Sequence, residues 1–393
     1  DQETDCIDCQ LGTFSLMVGS SSLAGCSNCP VGYYIHVTGS DQHEDCIACP
    51  LGKYSTVDGS ETSSDCTDCI PGRYIDVVGS DSPTDCILCP IGQYLDSPGN
   101  DNIDDCIECI AGKYIDVTGS DEAPDCIACP VGKYVNTAGS DALADCIDCP
   151  VGTYSAVAGI AEMSDCISCD AGKYIDVEGS DEHTDCIDCA AGKYVDVAGS
   201  DDAADCVDCA VGKFVAQAGS DGASDCIDCA AGTYVDTTGS SSASDCIACP
   251  AGKYIDVTGS DELSDCIACA LGKYSTVEGS ETESDCIQCP AGKYIDVVGS
   301  DSPNTCIDCP IGQYLDSAGN DDVQDCIPCI AGTYIDVEGS SALADCIDCV
   351  VGKYLDSTGN GHAGNCIECS AGKDIEGTGS TSAADCSDGG AGK

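Results

Sequence analysis

The stretch DCIACALGKYSTVEGSETESDC, residues 265–286, opens and closes on Asp-Cys, carries Cys-x-x-Cys at its head, and in its last two residues begins the same phrase again. The phrase recurs every 20 residues, without insertion or deletion, through all 393 residues, giving nineteen full units and a partial, degenerate twentieth. Units start at residues 1, 21, 41 and so on to 381, so the chain reads as a single tandem array over 1–393 with no linker. A fixed period of this length marks a repeat architecture in which each unit leans on its neighbours.

Composition excludes an ordinary core. There is no Trp, two Phe and two Met, against 39 Cys and 46 Gly in 393 residues, the cysteine density of a disulfide scaffold. Cytosolic thiols are kept reduced, so paired cysteine at this density places the protein outside the cell or on its surface. A unit of 20 residues with a handful of apolar side chains cannot offset its own ordering entropy; covalent staples and neighbouring units must supply the rest. The net charge of −57, from 70 acidic and 13 basic residues, argues against a nucleic-acid partner, which needs clustered Lys and Arg. No apolar run reaches the roughly 18–20 residues of a membrane span, and no signal-peptide core is visible. The chain begins at Asp1, as expected of a mature form or a segment of something longer.

Two glycine columns, Gly12 to Gly392 and Gly19 to Gly379, hold in every unit and predict two tight turns each. Between them a segment such as 173–177 predicts a strand of about five residues, with Ile175 and Val177 on one face and Tyr174 and Asp176 on the other. The rest reads as turn and loop, with no helical period. The expected fold is small, disulfide-rich and mostly β and coil: a linear array of about twenty short β-loops, each closed by a disulfide, forming a rod or solenoid.

Cysteine parity bears on the pairing. Pairs sit at 6 and 9, 26 and 29, and on to 366 and 369, followed by a lone Cys386. Closing each Cys-x-x-Cys on itself orphans Cys386. Joining the second cysteine of each unit to the first of the next gives Cys9–Cys26, Cys29–Cys46, Cys169–Cys186, Cys189–Cys206 and onward to Cys369–Cys386, leaving only Cys6 over. The rival is zinc, because Cys-x-x-Cys, sixteen residues, Cys-x-x-Cys is a ribbon spacing. Identical linkers throughout speak against sites built from units two by two, and a redox role for so many tandem motifs has no evident purpose.

The segment Cys129-Pro130-Val131-Gly132-Lys133-Tyr134, followed by Gly-Ser and a closing Asp-Cys, resembles the ephrin-receptor-like cysteine-rich repeat and the simplest module of tumour necrosis factor receptor ectodomains. The resemblance covers the whole chain. It implies a loop closed by the next cysteine along. Such arrays occur in surface proteins of algae and other protists, and related modules in the mastigonemes of algal flagella. This resemblance implies an extracellular structural protein, a subunit of a cell-surface or flagellar-hair-like fibril that self-associates. The alternative is the stalk or ectodomain of a receptor or adhesin that binds protein or glycan ligands. Receptors vary module type and length to shape a ligand site, whereas this chain is monotonous.

Candidate sites are few. His36, His43, His183 and His362 read as surface residues scattered over unrelated places in the repeat, so no catalytic set recurs and no enzyme is expected. The aromatic column from Tyr34 to Tyr354, with Phe214 standing in once, reads as packing against the disulfide and the next unit, or as a glycan-stacking stripe. Asp116, Asp176 and Asp256, near Asp121, Asp181 and Asp261, are the candidates for Ca²⁺, the one cofactor considered; the bland reading is a solvated acidic surface. All 13 basic residues precede the aromatic column: Lys53, Arg73, Lys113, Lys133, Lys173, Lys193, Lys213, Lys253, Lys273, Lys293, Lys353, Lys373 and Lys393. They form either a ridge for assembly against acidic rows of another chain or pairs within a unit, as Lys173 with Asp176. The 51–57 and 91–97 segments return at 271–277 and 311–317, an offset of eleven units that signals a block duplication. No Asn-x-Ser/Thr sequon occurs, though the Gly-Ser turns offer sites for O-linked sugars.

Overall fold

The computed structural model describes residues 6–388, so Gly392 and Lys393 of the columns above lie outside the described residues. From the second repeat to the nineteenth, each contributes two strands of two residues and one 3₁₀ turn of three. Lys173–Tyr174 pairs antiparallel with Ile187–Asp188, in the register Lys173↔Asp188 and Tyr174↔Ile187. Successive side chains of a strand point to opposite faces, so Lys and Asp share one face and Tyr and Ile the other.

The ladder stops after Tyr174 because the backbone then turns to a different partner. The N–H of Ile175 donates to the carbonyl of Ser200, 3.1 Å away, and Tyr174 forms a parallel bridge with Ser200. The N–H of Gly179 likewise donates to the carbonyl of Cys149 at 2.9 Å. A hairpin bond within the loop and parallel bonds to neighbouring loops thus satisfy a chain that owns almost no regular structure. The expected five-residue strand is therefore corrected to two. Ile175 is fully buried, whereas Val177 is 57% exposed where the chain bends into the turn at Gly179, so the two do not share a face.

Both glycine columns adopt the left-handed region, as at Gly252 (φ 85°) and Gly299 (φ 70°). The 3₁₀ turns were not expected; three residues are too few to show a helical period. In Leu263–Asp265 the Asp265 carboxylate accepts the N–H groups of Asp261 and Glu262 at 3.1 and 3.2 Å, tying off the start of the turn.

Nineteen disulfides run from Cys9–Cys26 to Cys369–Cys386, each spanning 17 residues with Cα atoms 5.7–5.9 Å apart, and Cys6 is free and exposed. Around each bond sits a core of a few side chains: Tyr154 against Cys169, Ile175 and Cys186, and Tyr194 against Cys209, Val215 and Cys226. The aromatic of one repeat therefore covers the disulfide that closes the next. The array falls into two compact units, Asp1–Asp188 with Val197–Asp205, and Cys189–Asp196 with Cys206–Lys393. The same loop, bridge and core recur within each. No helix among the described residues is long and apolar enough to cross a membrane.

Candidate functional site

The antiparallel register sets each residue of the basic column opposite the residue that lies between the two cysteines of the following repeat. Where that residue is acidic an ion pair forms, except that Lys373, opposite Asp388, makes none among the described residues. Lys53 meets Asp68 at 2.6 Å, Lys133 meets Asp148 at 2.5 Å, Lys173 meets Asp188 at 2.6 Å, and Lys293 meets Asp308 at 3.0 Å. Lys193, Lys213 and Lys353 pair in the same way with Asp208, Asp228 and Glu368, and Lys273 reaches Glu283. Lys173 thus pairs across the hairpin and not with Asp176. Arg73, opposite Leu88, donates instead to the carbonyl of Cys86 at 3.1 Å. Lys113 and Lys253 lie opposite Ala128 and Ala268, and among the described residues neither makes an ion pair. Most of the ridge therefore answers acidic charge of its own chain.

A second feature is an open groove that recurs in three repeats and has an exposed apolar residue on both sides in one of them. Val277 and Ile287, 59% and 50% exposed, flank a depression of about 540 Å³ whose floor and rim are Gly279, Ser280, Glu281, Thr282, Ser284 and Asp285. Equivalent depressions lie at Val57, Glu61 and Asp65, and at Gln217, Asp221, Asp225 and Ile227. The residues lining these three include acids and no base. Their apolar columns went unrecognised in the sequence, where Val and Ile signal core by type; recurrence alone could not reveal which of them faces outward.

The Asp that precedes the first cysteine of most repeats is visible in the recurring Asp-Cys, but its role as a cap is not. Asp285 accepts the N–H groups of Glu281 and Thr282 at 3.0 and 2.9 Å, and these bonds, that of Thr282 foremost, hold its carboxyl below the ordinary 3.8 against a smaller opposing effect of burial. Asp65 is lowered by the matching bonds from Thr62 and Glu61. Of the calcium candidates, Asp116, Asp176 and Asp256 are exposed, while Asp121, Asp181 and Asp261 give their own N–H groups to Asp125, Asp185 and Asp265. No group of three or more His, Cys, Asp or Glu side chains able to hold a metal gathers among the described residues. His43 and His183 prove to share one repeat position, the first residue of the 3₁₀ turn, each set edge-on to an aromatic ring of an earlier repeat, Phe14 at 5.5 Å and Tyr154 at 5.9 Å.

The family described as tyrosine-protein kinase ephrin type A/B receptor-like matches residues 17–66, 38–86, 137–186, 192–246, 217–266, 258–306, 299–346 and 339–386, well over half of the chain. The chain belongs to the ephrin-receptor-like family. Each ephrin-receptor-like match ends on the first cysteine of a repeat, as at Cys186 and Cys386, the residue that completes a disulfide. Comparison with curated proteins returns no match. Ephrin-receptor-like repeats are non-catalytic cysteine-rich modules, and together with the disulfides they point to an extracellular repeat protein.

Proposed function

We propose that this ephrin-receptor-like array is an extracellular structural protein, a subunit of a cell-surface or flagellar-hair-like fibril. The observation that carries the reading is uniformity: the same parallel bridge, from Tyr34↔Ser60 to Tyr354↔Ser380, repeats with no repeat set apart as a ligand site. Identical units stacked in one register lengthen a body without adding chemistry, and identical units meet identical units when copies associate. Lys113 and Lys253, which face alanine, and Arg73, which meets only a backbone carbonyl, are ridge positions with charge to spare for an acidic neighbour. Electron microscopy of native material tests this. Filaments with an axial repeat tied to the repeat spacing are the expected result, and separate monomers at physiological salt overturn it. The receptor-type description of the family favours a second reading, the stalk of a receptor or adhesin. That reading requires a distinct ligand-binding domain elsewhere in the same polypeptide.

A further inference from the structure

The exposed Val and Ile columns, and the grooves beside them, have no place in a purely structural reading. Exposed aliphatic side chains scattered singly need no explanation, but these are not scattered. Val57, Val117, Val157, Val257 and Val277 are 58–61% exposed, and Ile107, Ile147, Ile267 and Ile287 43–50%, at fixed positions of the repeat. Within each compact unit the same parallel bridge, from the aromatic of one repeat to the residue 26 further on, recurs at each step, so equivalent positions follow one another in order; polar residues such as Ser97, Thr137 and Gln217 break the Val column, and both columns are apolar without a break from Val257 to Ile307. Two half-exposed side chains leave on the order of 100 Å² of apolar surface, so the three successive pairs from Val257 to Ile307 present about 300 Å², the size of the exposed patches that often serve in binding.

Charge decides what fits there. The three grooves present Glu61 and Asp65, Asp221 and Asp225, and Glu281 and Asp285, with no Lys or Arg in the lining. The carboxylates of Asp65 and Asp285 are held below the ordinary range and stay ionised at any physiological pH. A second copy would bring the same acidic rims against these, from a chain with 70 acidic and 13 basic residues whose lysines are largely paired already. Like charges juxtaposed along an interface oppose association.

We infer that the Val/Ile stripe is a docking surface for an extended, cationic polypeptide that carries aliphatic side chains among its Lys or Arg residues. The aliphatic groups enter the grooves and the cations meet the acidic rims. Because the groove recurs, one such segment engages several repeats, and each further groove is filled at the high effective concentration set by the one before.

The test uses the full chain and two peptides of equal length and charge, one alternating Lys and Leu, the other Lys and Ser, titrated at physiological salt. The Lys-Leu peptide is expected to bind at least tenfold more tightly. Binding of the two within threefold of each other means that charge alone acts, and overturns the proposal; this comparison needs no variant. A chain carrying Val37→Ser and the same change at every other exposed valine of that column (Val57, Val77, Val117, Val157, Val177, Val197, Val257, Val277, Val297 and Val337), with its disulfide map unchanged, is expected to lose the preference for Lys-Leu and to keep its weaker affinity for Lys-Ser. An unchanged preference overturns the assignment to this surface. Sedimentation of the chain alone supplies the other arm: self-association that these substitutions abolish would give the stripe to a second copy instead.

Discussion

Gly252 lies directly against the carbonyl oxygen of Gly299, two repeats further along, so closely that a Cβ on Gly252 would fall inside the oxygen. Both glycines have positive φ, 85° and 70°, but only the first is also sterically enclosed; a Cβ on Gly299 would rest 3.4 Å from that of Ala268. Gly252 is glycine for two reasons and Gly299 for one.

Gly252→Ala is therefore expected to cost about 3 kcal/mol, the left-handed penalty plus overpacking, and Gly299→Ala about 1 kcal/mol. The N–H of Cys269 donates to the carbonyl of Gly252 at 2.8 Å, so hydrogen exchange of a peptide containing Cys269 reads the loss locally. Equal acceleration in the two variants would show that enclosure at Gly252 contributes nothing.

Peptide mapping without reduction is expected to recover Cys169–Cys186 and Cys189–Cys206, with no zinc co-purifying and no closed Cys166–Cys169 ring. Replacing Cys189 and Cys206 together by Ser removes a bond worth roughly 3 kcal/mol in the chain-entropy model. In a quasi-one-dimensional array the damage stays near the site. Limited proteolysis should nick the 189–206 loop and leave distant repeats intact; loss of the whole chain at once would mean cooperative unfolding.

The period, the turns and the disulfide-closed β-loop are legible in the sequence because each leaves a residue type that little else explains: a column of glycine, a column of cysteine. Length and direction of side chains are not. Alternation along 173–177 places Ile175 beside Val177, and only the bond from the Ile175 N–H to Ser200, a contact between loops, shows that the ladder ends first. The partner of Lys173 is hidden for the same reason, since Asp188 becomes its neighbour only once the hairpin register is known.

That ion pair is half exposed, with the side chains of Lys173 and Asp188 at 26% and 49%, so its contribution is expected to be small. A double-mutant cycle of Lys173→Ala and Asp188→Ala should give a coupling of about 0.2–1 kcal/mol that fades as salt is raised toward 1 M. Lys113→Ala, opposite Ala128, should leave stability unchanged. A coupling that survives high salt would indicate packing of the lysine stem instead of charge.

The acidic caps make the turns sensitive to pH in a definite direction. Asp285 accepts the N–H groups of Glu281 and Thr282 and the Thr282 hydroxyl, and its carboxyl sits below the ordinary 3.8, the Thr282 N–H being the largest cause. A folded-state value below the unfolded one means that the cap's contribution is fully present above the unfolded value and is lost as pH falls through the lowered one. The turn is thus expected to stay closed through the pH at which free carboxylates protonate and to open only below it. The 303–305 turn supplies an internal control, because Thr305 stands where other repeats have Asp and donates its hydroxyl to the Ser302 carbonyl. After correction for intrinsic rates, exchange of the Glu281 and Thr282 amides should accelerate on acidification below the ordinary carboxylate range, whereas that of Asn304 and Thr305 should not. Asp285→Ala should abolish the pH dependence and leave the 281–282 amides fast throughout. Protection of these amides that is lost at or above pH 3.8 would contradict the cap as the cause, since the carboxylate would then gain nothing from the two bonds it accepts.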